Sequence, residues 1–211
     1  MGWVELPAAP SLSSALLQEF AIFPLNAVLF PGGLLPLRIF EQRYMDMAKR
    51  CLKDDEPFGV CLIRSGGEVG APATPETVGC TARILEWDMQ QLGLLAVKAC
   101  GEQRFRVLDS TANAAGLIRA RIEMLPQDTD APLPAQFGAC AGLLKRVIAE
   151  HGAKIMSSPH YFDSSAWVGA RLTEILPVPL AAKQRLLELE DALQRIEILH
   201  KFLQQHRLAR D

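Results

Sequence analysis

Two serines and a nearby lysine are the first residues in this sequence that suggest catalysis. Ser157 and Ser158 follow closely after Lys154, and a serine nucleophile needs a base such as lysine within hydrogen-bond reach. The sequence has no GxSxG nucleophile elbow, and closeness along a chain is weak evidence that two side chains meet in space. We interpret both serines as loop residues and the lysine as a surface side chain.

No motif for binding nucleotide phosphates is present. The pattern GxxxxGK[ST], whose backbone amides surround a phosphate, does not occur. Glycines are densest in residues 66–70. The lysine and the serine or threonine that complete the phosphate-binding pattern do not follow them, and the next residues form a loop with Pro72 and Pro75. We predict that this segment is a turn and that the chain uses no cofactor.

The spacing of histidine and cysteine does not favour a metal site. The residues concerned are His151, His160, His200, His206, Cys51, Cys61, Cys80, Cys100 and Cys140. They form no CxxC, HxxH or HxxxH pattern. A pair of Cys140 with His151 or His160 stays open as an alternative to polar histidines at helix ends. We predict free, mostly buried cysteines in a reducing compartment.

Four arginines at alternating positions could form a basic stripe for RNA. They are Arg104, Arg106, Arg119 and Arg121. Acidic residues are interleaved with them, and no aromatic platform accompanies them, whereas RNA binding needs unneutralised charge and usually stacking surfaces. We predict a solvated sheet face with ion pairs and no binding of nucleic acid.

The elements that must position these residues begin with two apolar runs around a turn. Residues 22–25 and 34–39 are predicted strands. The sequence Pro31-Gly32-Gly33 between them supports a tight reversal, because glycine adopts positive φ without strain. Neither run alternates between apolar and polar residues, which indicates strands covered on both faces.

A helix is predicted directly after the second run, over residues 41–53. Phe40 and Tyr44 are predicted on its apolar face and therefore in the core. Arg38 and Glu41 could form an ion pair where the strand meets the helix.

Five further strands are predicted downstream. Their ranges are residues 58–63, 78–88, 92–100, 103–109 and 117–125. The last alternates cleanly between apolar and charged residues, which is typical of a half-buried antiparallel strand.

Helical periodicity follows a linker at residues 126–134. One predicted helix ends near residue 151, and a second starts at Ser164, whose hydroxyl can cap it. A last helical region begins near Pro179. Strands first and helices afterwards indicate an α+β fold.

Length and composition are those of an ordinary globular chain. The chain has 211 residues, 49% of them hydrophobic and 22% charged, and a formal net charge of −2, which gives no bulk attraction to nucleic acid or anionic membrane. The longest apolar run, residues 27–37, is broken by proline and glycine and is too short to cross a bilayer. With no signal-peptide pattern, we predict a cytoplasmic protein with no membrane association.

The longest motif in the chain resembles the start of a known domain. The order FPL-x-x-VLFPGG-x-LPLRIFE-x-RY in residues 23–44 resembles the N-terminal substrate-binding domain of ATP-dependent Lon proteases. Similarity continues to about residue 203 and includes the segment from Arg171 to Pro177. Cys80 stands where this family more often has threonine, and an Asp-Gly turn near residues 90–93 is missing. These departures affect local turns.

The resemblance implies two subdomains within the α+β fold. An N-terminal β-barrel-like (PUA-like) subdomain is expected over residues 21–126, followed by a C-terminal α-helical bundle over residues 133–207. Residues 1–20 are expected to form an N-terminal tail. The barrel and its PUA-like character come from the family alone.

The resemblance also implies a polypeptide-recognition module that is not an enzyme. Lon proteases have an ATPase module and a Ser–Lys peptidase, and the motifs of neither occur here. The expected partners are unfolded or degradation-prone polypeptides, or a separate protease, bound through exposed apolar surface or an open strand edge. Candidate polypeptide-binding residues are Phe30, Leu34, Met45 and Phe58, each of which could equally belong to the core.

Two other functions stay open. An adaptor or assembly protein would bind a folded partner or a second copy through the helical half, and the sequence does not determine the oligomeric state. An uncharacterised hydrolase would use Ser157 or Ser158.

Overall fold

The computed structural model describes residues 4–5, 19–129, 131–152, 156, 158–206 and 208. Tertiary contacts group the chain into two compact units, Met1–Leu125 and Pro126–Asp211. Within the described residues, no helix has the length and apolarity needed to cross a bilayer.

The described part of the first unit consists of eight strands and one helix. The strands are β1 (Val4–Glu5), β2 (Glu19–Leu25), β3 (Leu34–Ile39), β4 (Phe58–Ser65), β5 (Thr74–Pro75), β6 (Val78–Gln91), β7 (Leu94–Ala112) and β8 (Ile118–Met124). The helix α1 (Gln42–Asp54) connects β3 to β4. Glu19 and Phe20, predicted as the end of the tail, therefore belong to a strand.

The strands form one sheet in the order β1-β6-β4-β2-β8-β7-β3, and β5 pairs with β4. β2 and β4 are parallel, with α1 in the connection between them, and the other pairs are antiparallel. Because β6 also pairs with β7, the path through β4, β2, β8 and β7 returns to β6. Among the described strands, β3 pairs with β7 alone, so one of its edges carries no strand.

One long strand replaces a predicted break. β7 continues through Gly101, where the sequence predicted a separation between two strands. A Cβ atom at this position would overlap the carbonyl oxygen of Phe30, so only glycine lets the two backbones approach. The amide of Gly32 donates to the Gly101 carbonyl at 2.7 Å, and the Gly101 amide donates to the Gly33 carbonyl at 2.9 Å. These bonds fix the turn that starts β3.

Two clusters of buried side chains fill the first unit. The larger one joins α1 to β2, β4, β6 and β7, and the smaller one lies between β2, β7 and β8. The alternation predicted for β8 is confirmed, because Ile118, Ala120 and Ile122 are buried in the smaller cluster. The side chains of both clusters pack against the strands and hold the sheet in place.

The second unit is helical in its described part. After a 3-10 turn (Ala135–Phe137) come α2 (Gly138–His151), α3 (Ser165–Ile175), α4 (Leu180–Glu188) and α5 (Ala192–Gln205). The predicted cap is confirmed, because the Ser164 hydroxyl accepts a hydrogen bond from the Trp167 amide at 3.1 Å. α3 contacts α2, α4 and α5.

The last helical region, predicted from near Pro179, consists of the two helices α4 and α5. Asp191 caps α5 by accepting a hydrogen bond from the Leu193 amide at 2.8 Å. The fully buried Arg195 donates to the carbonyls of Leu186 at 2.9 Å and Leu189 at 2.8 Å. It also bonds the Asp128 carboxylate at 2.5 Å. This arginine therefore satisfies the carbonyl groups that the end of α4 exposes.

Candidate functional site

An apolar groove lies beside the unpaired edge of β3. It has a volume of about 250 Å³ and is lined by residues of β2, β3, the start of α1 and the loop after β4. β3 contributes the consecutive residues 35–39. Because consecutive strand residues point to opposite faces, this lining shows that the groove follows the edge of the strand. We call it the β3 groove.

Two exposed apolar side chains form the rim of the β3 groove. Phe40 is 57% exposed and Val69 is 62% exposed. The prediction that Phe40 packs in the core is wrong, because α1 begins only at Gln42 and Phe40 precedes its N-cap residue Glu41. Exposed apolar groups next to an apolar groove are typical of a binding surface.

The floor of the groove is rigid and apolar. The rings of Phe23 and Tyr44 stack with their centroids 4.0 Å apart and their planes at 14°. Tyr44 is 2% exposed, as predicted. Burial raises the pKa of Tyr44, although the Arg43 guanidinium, 4.7 Å from the ring centroid, opposes the effect. The phenol therefore stays neutral.

The junction of β3 and α1 is held by an arginine of the motif at residues 23–44. Arg43 pairs with Glu41 at 2.9 Å and donates to the Gly116 carbonyl at 3.0 Å. The predicted pair of Arg38 and Glu41 is therefore wrong. Arg38 is exposed and forms no ion pair among the described residues, so its charge stays available at the β3 edge.

The opposite wall of the groove is the loop at residues 66–70. Gly66 and Gly70 have φ values of 95° and 90°, which agrees with the predicted turn. The Glu68 carboxylate accepts a hydrogen bond from the backbone amide of Asn26 at 2.6 Å. This bond holds Val69 beside β3.

The four predicted binding residues lie mainly in the core. Phe30, Met45 and Phe58 are 1%, 6% and 0% exposed, and Leu34 is half-buried at the start of β3. Their contact with a polypeptide stays a prediction, and the structure offers Phe40 and Val69 at the surface instead. The sequence signal for these two was their place outside regular elements, one before a helix N-cap and the other between turn glycines.

A larger groove in the same unit has a charged lining. It measures about 810 Å³ and lies between α1, β2 and the loop before β8. Arg50 pairs with Asp54 at 3.9 Å and with Glu56 at 3.5 Å, and Asp46 accepts a hydrogen bond from Gln42 at 2.7 Å. No group of three metal-binding side chains occurs among the described residues, here or elsewhere. Because its charged groups pair with one another, we expect water and not a ligand to occupy this groove.

The thiol nearest to a histidine is poorly suited to nucleophilic chemistry. Cys140 lies with its Sγ atom 4.0 Å from Nδ1 of His200, whereas the sequence left a pair with His151 or His160 open. Cys140 is fully buried, and burial raises its pKa to about 11. A buried, protonated thiol is a weak nucleophile. All five cysteines are free, and four of them are buried, as predicted.

The serine and lysine considered for hydrolysis are only partly described. Ser157 and Lys154 lie outside the described residues. Ser158 is exposed and precedes Pro159.

The arginine stripe carries ion pairs, as predicted for a solvated sheet face. Arg106 pairs with Glu123 at 3.2 Å. Arg121 pairs with Asp109, and this hydrogen bond lowers the pKa of the Asp109 carboxyl. Arg104 is 2% exposed. The stripe is therefore largely neutralised or buried.

These elements agree with one family of domains. The family model described as the ATP-dependent protease La (LON) substrate-binding domain matches residues 19–205. The chain belongs to this family. The resemblance found in the sequence is thus confirmed, and the fold is the Lon N-terminal domain fold, with α-helices and a β-sheet.

Relatives by sequence include both proteases and a protein of another name. The chain is 27% identical to Lon protease 2 of Myxococcus xanthus over 198 residues, which are 90% of this chain and 24% of that protein. It is 33% identical to the protein cereblon of Danio rerio over 114 residues, 52% of this chain and 26% of that protein. The chain therefore spans about a quarter of the length of these relatives.

Solved structures extend the agreement. A Lon N-terminal domain protein from Xanthomonas campestris matches with a TM-score of 0.72 at 33% identity, over 86% of this chain and 96% of that chain. The N-terminal domain of a Mycobacterium avium complex Lon protease matches with a TM-score of 0.60 at 16% identity, over 90% of this chain and all of that one. The second likeness concerns the fold alone.

Proposed function

We propose that this chain is a non-catalytic recognition module that binds unfolded or degradation-prone polypeptides in the β3 groove. Membership of the Lon substrate-binding domain family supports the recognition of polypeptide substrates. The observation that carries the choice of surface is the apolar groove with Phe40 and Val69 exposed at its rim. Unfolded chains expose the apolar side chains that such a groove can cover.

The scaffold of this module is a barrel with a bundle of helices. The barrel is supported by the pairing path that leaves β6 and returns to it through β7. The bundle is supported by the contacts of α3 with α2, α4 and α5. β3 pairs along its length with β7, a strand of this closed path, so the β3 groove lies on a hydrogen-bonded support.

Fluorescence anisotropy with a labelled, carboxymethylated unfolded polypeptide tests the proposal. Fully burying a phenylalanine contributes about 1.5 to 3 kcal/mol, and Phe40 has 57% of its surface left to bury. We expect Phe40→Ser to weaken binding by about 4- to 17-fold, and Val69→Ser to weaken it by a smaller factor.

Leu92→Ser is the matched control, because Leu92 is 99% exposed at the turn between β6 and β7 and does not line the groove. The control should bind as the unmodified chain does. Absence of binding by the unmodified chain at high micromolar concentration would refute the function. Equal loss in Leu92→Ser and Phe40→Ser would refute the site.

Cytoplasmic action is part of the proposal, supported by the five free cysteines. Service to a separate protease is a partner relationship that co-purification with such a protease would test. An adaptor that acts through the helices stays the alternative, and a stable dimer in light scattering would favour it.

A further inference from the structure

The backbone of β3 presents a specific hydrogen-bond pattern at its free edge. Pro36 has no N–H group, so its register position opposite Lys98 is suited to the non-hydrogen-bonded pairs of the β3–β7 ladder. Hydrogen-bonded and non-hydrogen-bonded pairs alternate along an antiparallel ladder. The bond from the Gly101 amide to the Gly33 carbonyl therefore places Leu35, Leu37 and Ile39 at the positions bonded to β7. The backbone groups of Leu34, Pro36 and Arg38 therefore point toward the β3 groove.

We propose that an unfolded polypeptide binds as an added strand on this free edge of β3, with backbone hydrogen bonds to Leu34 and Arg38 on either side of Pro36. The inference rests on the proposed function and adds its mode of binding. Leu34 and Arg38 each offer one donor and one acceptor, whereas Pro36 offers its carbonyl only. The edge thus lacks one donor at its centre.

The side chains around the edge select the segment that is added. Alternate residues of an added strand point to one face, and on the groove side they meet the apolar rim of Phe40 and Val69. Near the C-terminal end of β3, the exposed Arg38 has no ion pair among the described residues. The preferred segment is therefore extended, apolar at every second position, and carries a carboxylate opposite Arg38.

Two features favour a foreign chain over a second copy as the occupant. Two copies paired through their β3 edges would each bring a proline into the new ladder, and proline at an edge opposes such pairing. The same sheet accepts a short strand elsewhere, since the two residues of β1 pair with Glu86 and Trp87 of β6. A short segment of extended chain is thus enough for pairing at an edge of this sheet.

Pro36→Ala in the full chain is the direct test, because it adds the missing donor. The probe is a synthetic peptide of alternating valine and threonine with one glutamate, flanked by lysines. One additional hydrogen bond should tighten binding by about 2- to 12-fold. Pro72→Ala, which adds an N–H group on an exposed loop outside the groove lining, should leave the affinity unchanged.

N-methylation of the peptide tests the same mode on the unmodified protein. Methyl groups placed on successive amides should weaken binding at every second position only, because alternate amides of an added strand face β3. Replacing the peptide glutamate by glutamine should weaken binding to the unmodified chain by less than about 5-fold. The same replacement should leave the affinity of the Arg38→Gln variant for the peptide unchanged.

The outcomes separate this proposal from the proposed function. If Phe40→Ser weakens binding but N-methylation shows no period of two and Pro36→Ala has no effect, strand addition is wrong and recognition by the groove stands. If Pro36→Ala forms dimers in light scattering without tighter peptide binding, the occupant is a second copy and the proposal is overturned. If neither the peptide nor an unfolded polypeptide binds, the proposed function itself fails.

Discussion

Replacing Gly101 by alanine should destabilise the first unit strongly. The added Cβ atom would overlap the Phe30 carbonyl oxygen and would lie 3.0 Å from the Phe30 carbonyl carbon and 3.1 Å from Sγ of Cys80. Phe30 is 1% exposed, and the close packing of protein interiors leaves few voids that could take up a shift. Relief therefore requires the backbones to separate, which breaks the bonds from the Gly32 amide and to the Gly33 carbonyl.

The expected loss follows from these two effects. Overpacking of a core costs about 1 to 3 kcal/mol, and each backbone hydrogen bond contributes about 0.5 to 1.5 kcal/mol. We expect the free energy of unfolding to fall by about 2 to 6 kcal/mol. With a slope of about 2 kcal/mol per molar urea, the midpoint should fall by about 1 to 3 M.

Urea unfolding followed by Trp87 fluorescence measures this change, with Trp3 and Trp167 replaced by phenylalanine. Trp87 packs against the larger core cluster of the first unit. Gly67→Ala is the matched control, because its added Cβ would meet nothing closer than 3.8 Å, and it should change stability by less than about 0.5 kcal/mol. A midpoint for Gly101→Ala equal to that of the control would show that the close approach of the two backbones is not needed.

Two further predictions concern buried polar groups. Arg195→Met should lower the free energy of unfolding by about 3 to 5 kcal/mol in urea titrations, because it removes a fully buried guanidinium and leaves the partly buried Asp128 carboxylate and the carbonyls of Leu186 and Leu189 without this arginine; Arg195→Met combined with Asp128→Leu should recover part of the loss, and no recovery would contradict this reasoning. Burial raises the pKa of Cys51 and Cys140 from 9.0 to about 11, so the folded state keeps protons that the unfolded state loses between these values. The contribution of these thiols to the free energy of unfolding should therefore be constant below about pH 9 and fall by up to about 3 kcal/mol per thiol as the pH rises to about 11; Cys140→Ala should reduce this fall, and an equal fall in both proteins would refute the role of burial.

Local signals predicted the elements that depend on nearby residues. The run at residues 34–39 became β3 with the same bounds, because the glycine turn before it and the polar start of α1 after it mark both ends. The Ser164 cap was readable because a serine hydroxyl before an apolar helix satisfies amides within its own turn.

Properties that depend on distant partners could not be predicted. The parallel pairing of β2 with β4 joins segments on either side of β3 and α1, and no residue within β2 encodes it. The division of the last helical region depends on Arg195, which reaches Asp128 from far along the chain. The contact of Cys140 with His200 likewise arises from the packing of α2 against α5.

The groove was missed for a related reason. Hydrophobic periodicity assigns apolar residues to buried faces, so it placed Phe40 in the core. The four candidates Phe30, Leu34, Met45 and Phe58 came from the family resemblance, which does not tell a surface residue from a core residue. Only the start of α1 at Gln42 decides that Phe40 is exposed. Small shifts at element boundaries therefore have large effects on a predicted binding surface.

The pairing of β2 with β8 has a consequence for protein synthesis. Glu19 and Arg119, whose carbonyl and guanidinium bond in this pair, are separated by 100 residues along the chain. At a translation rate of about 5 to 20 residues per second, the first long strand waits on the ribosome for about 5 to 20 seconds before its antiparallel neighbour emerges. During that time Phe20 and Ile22 are without their covering strand, so the nascent chain itself displays the type of apolar extended segment that quality-control proteins bind.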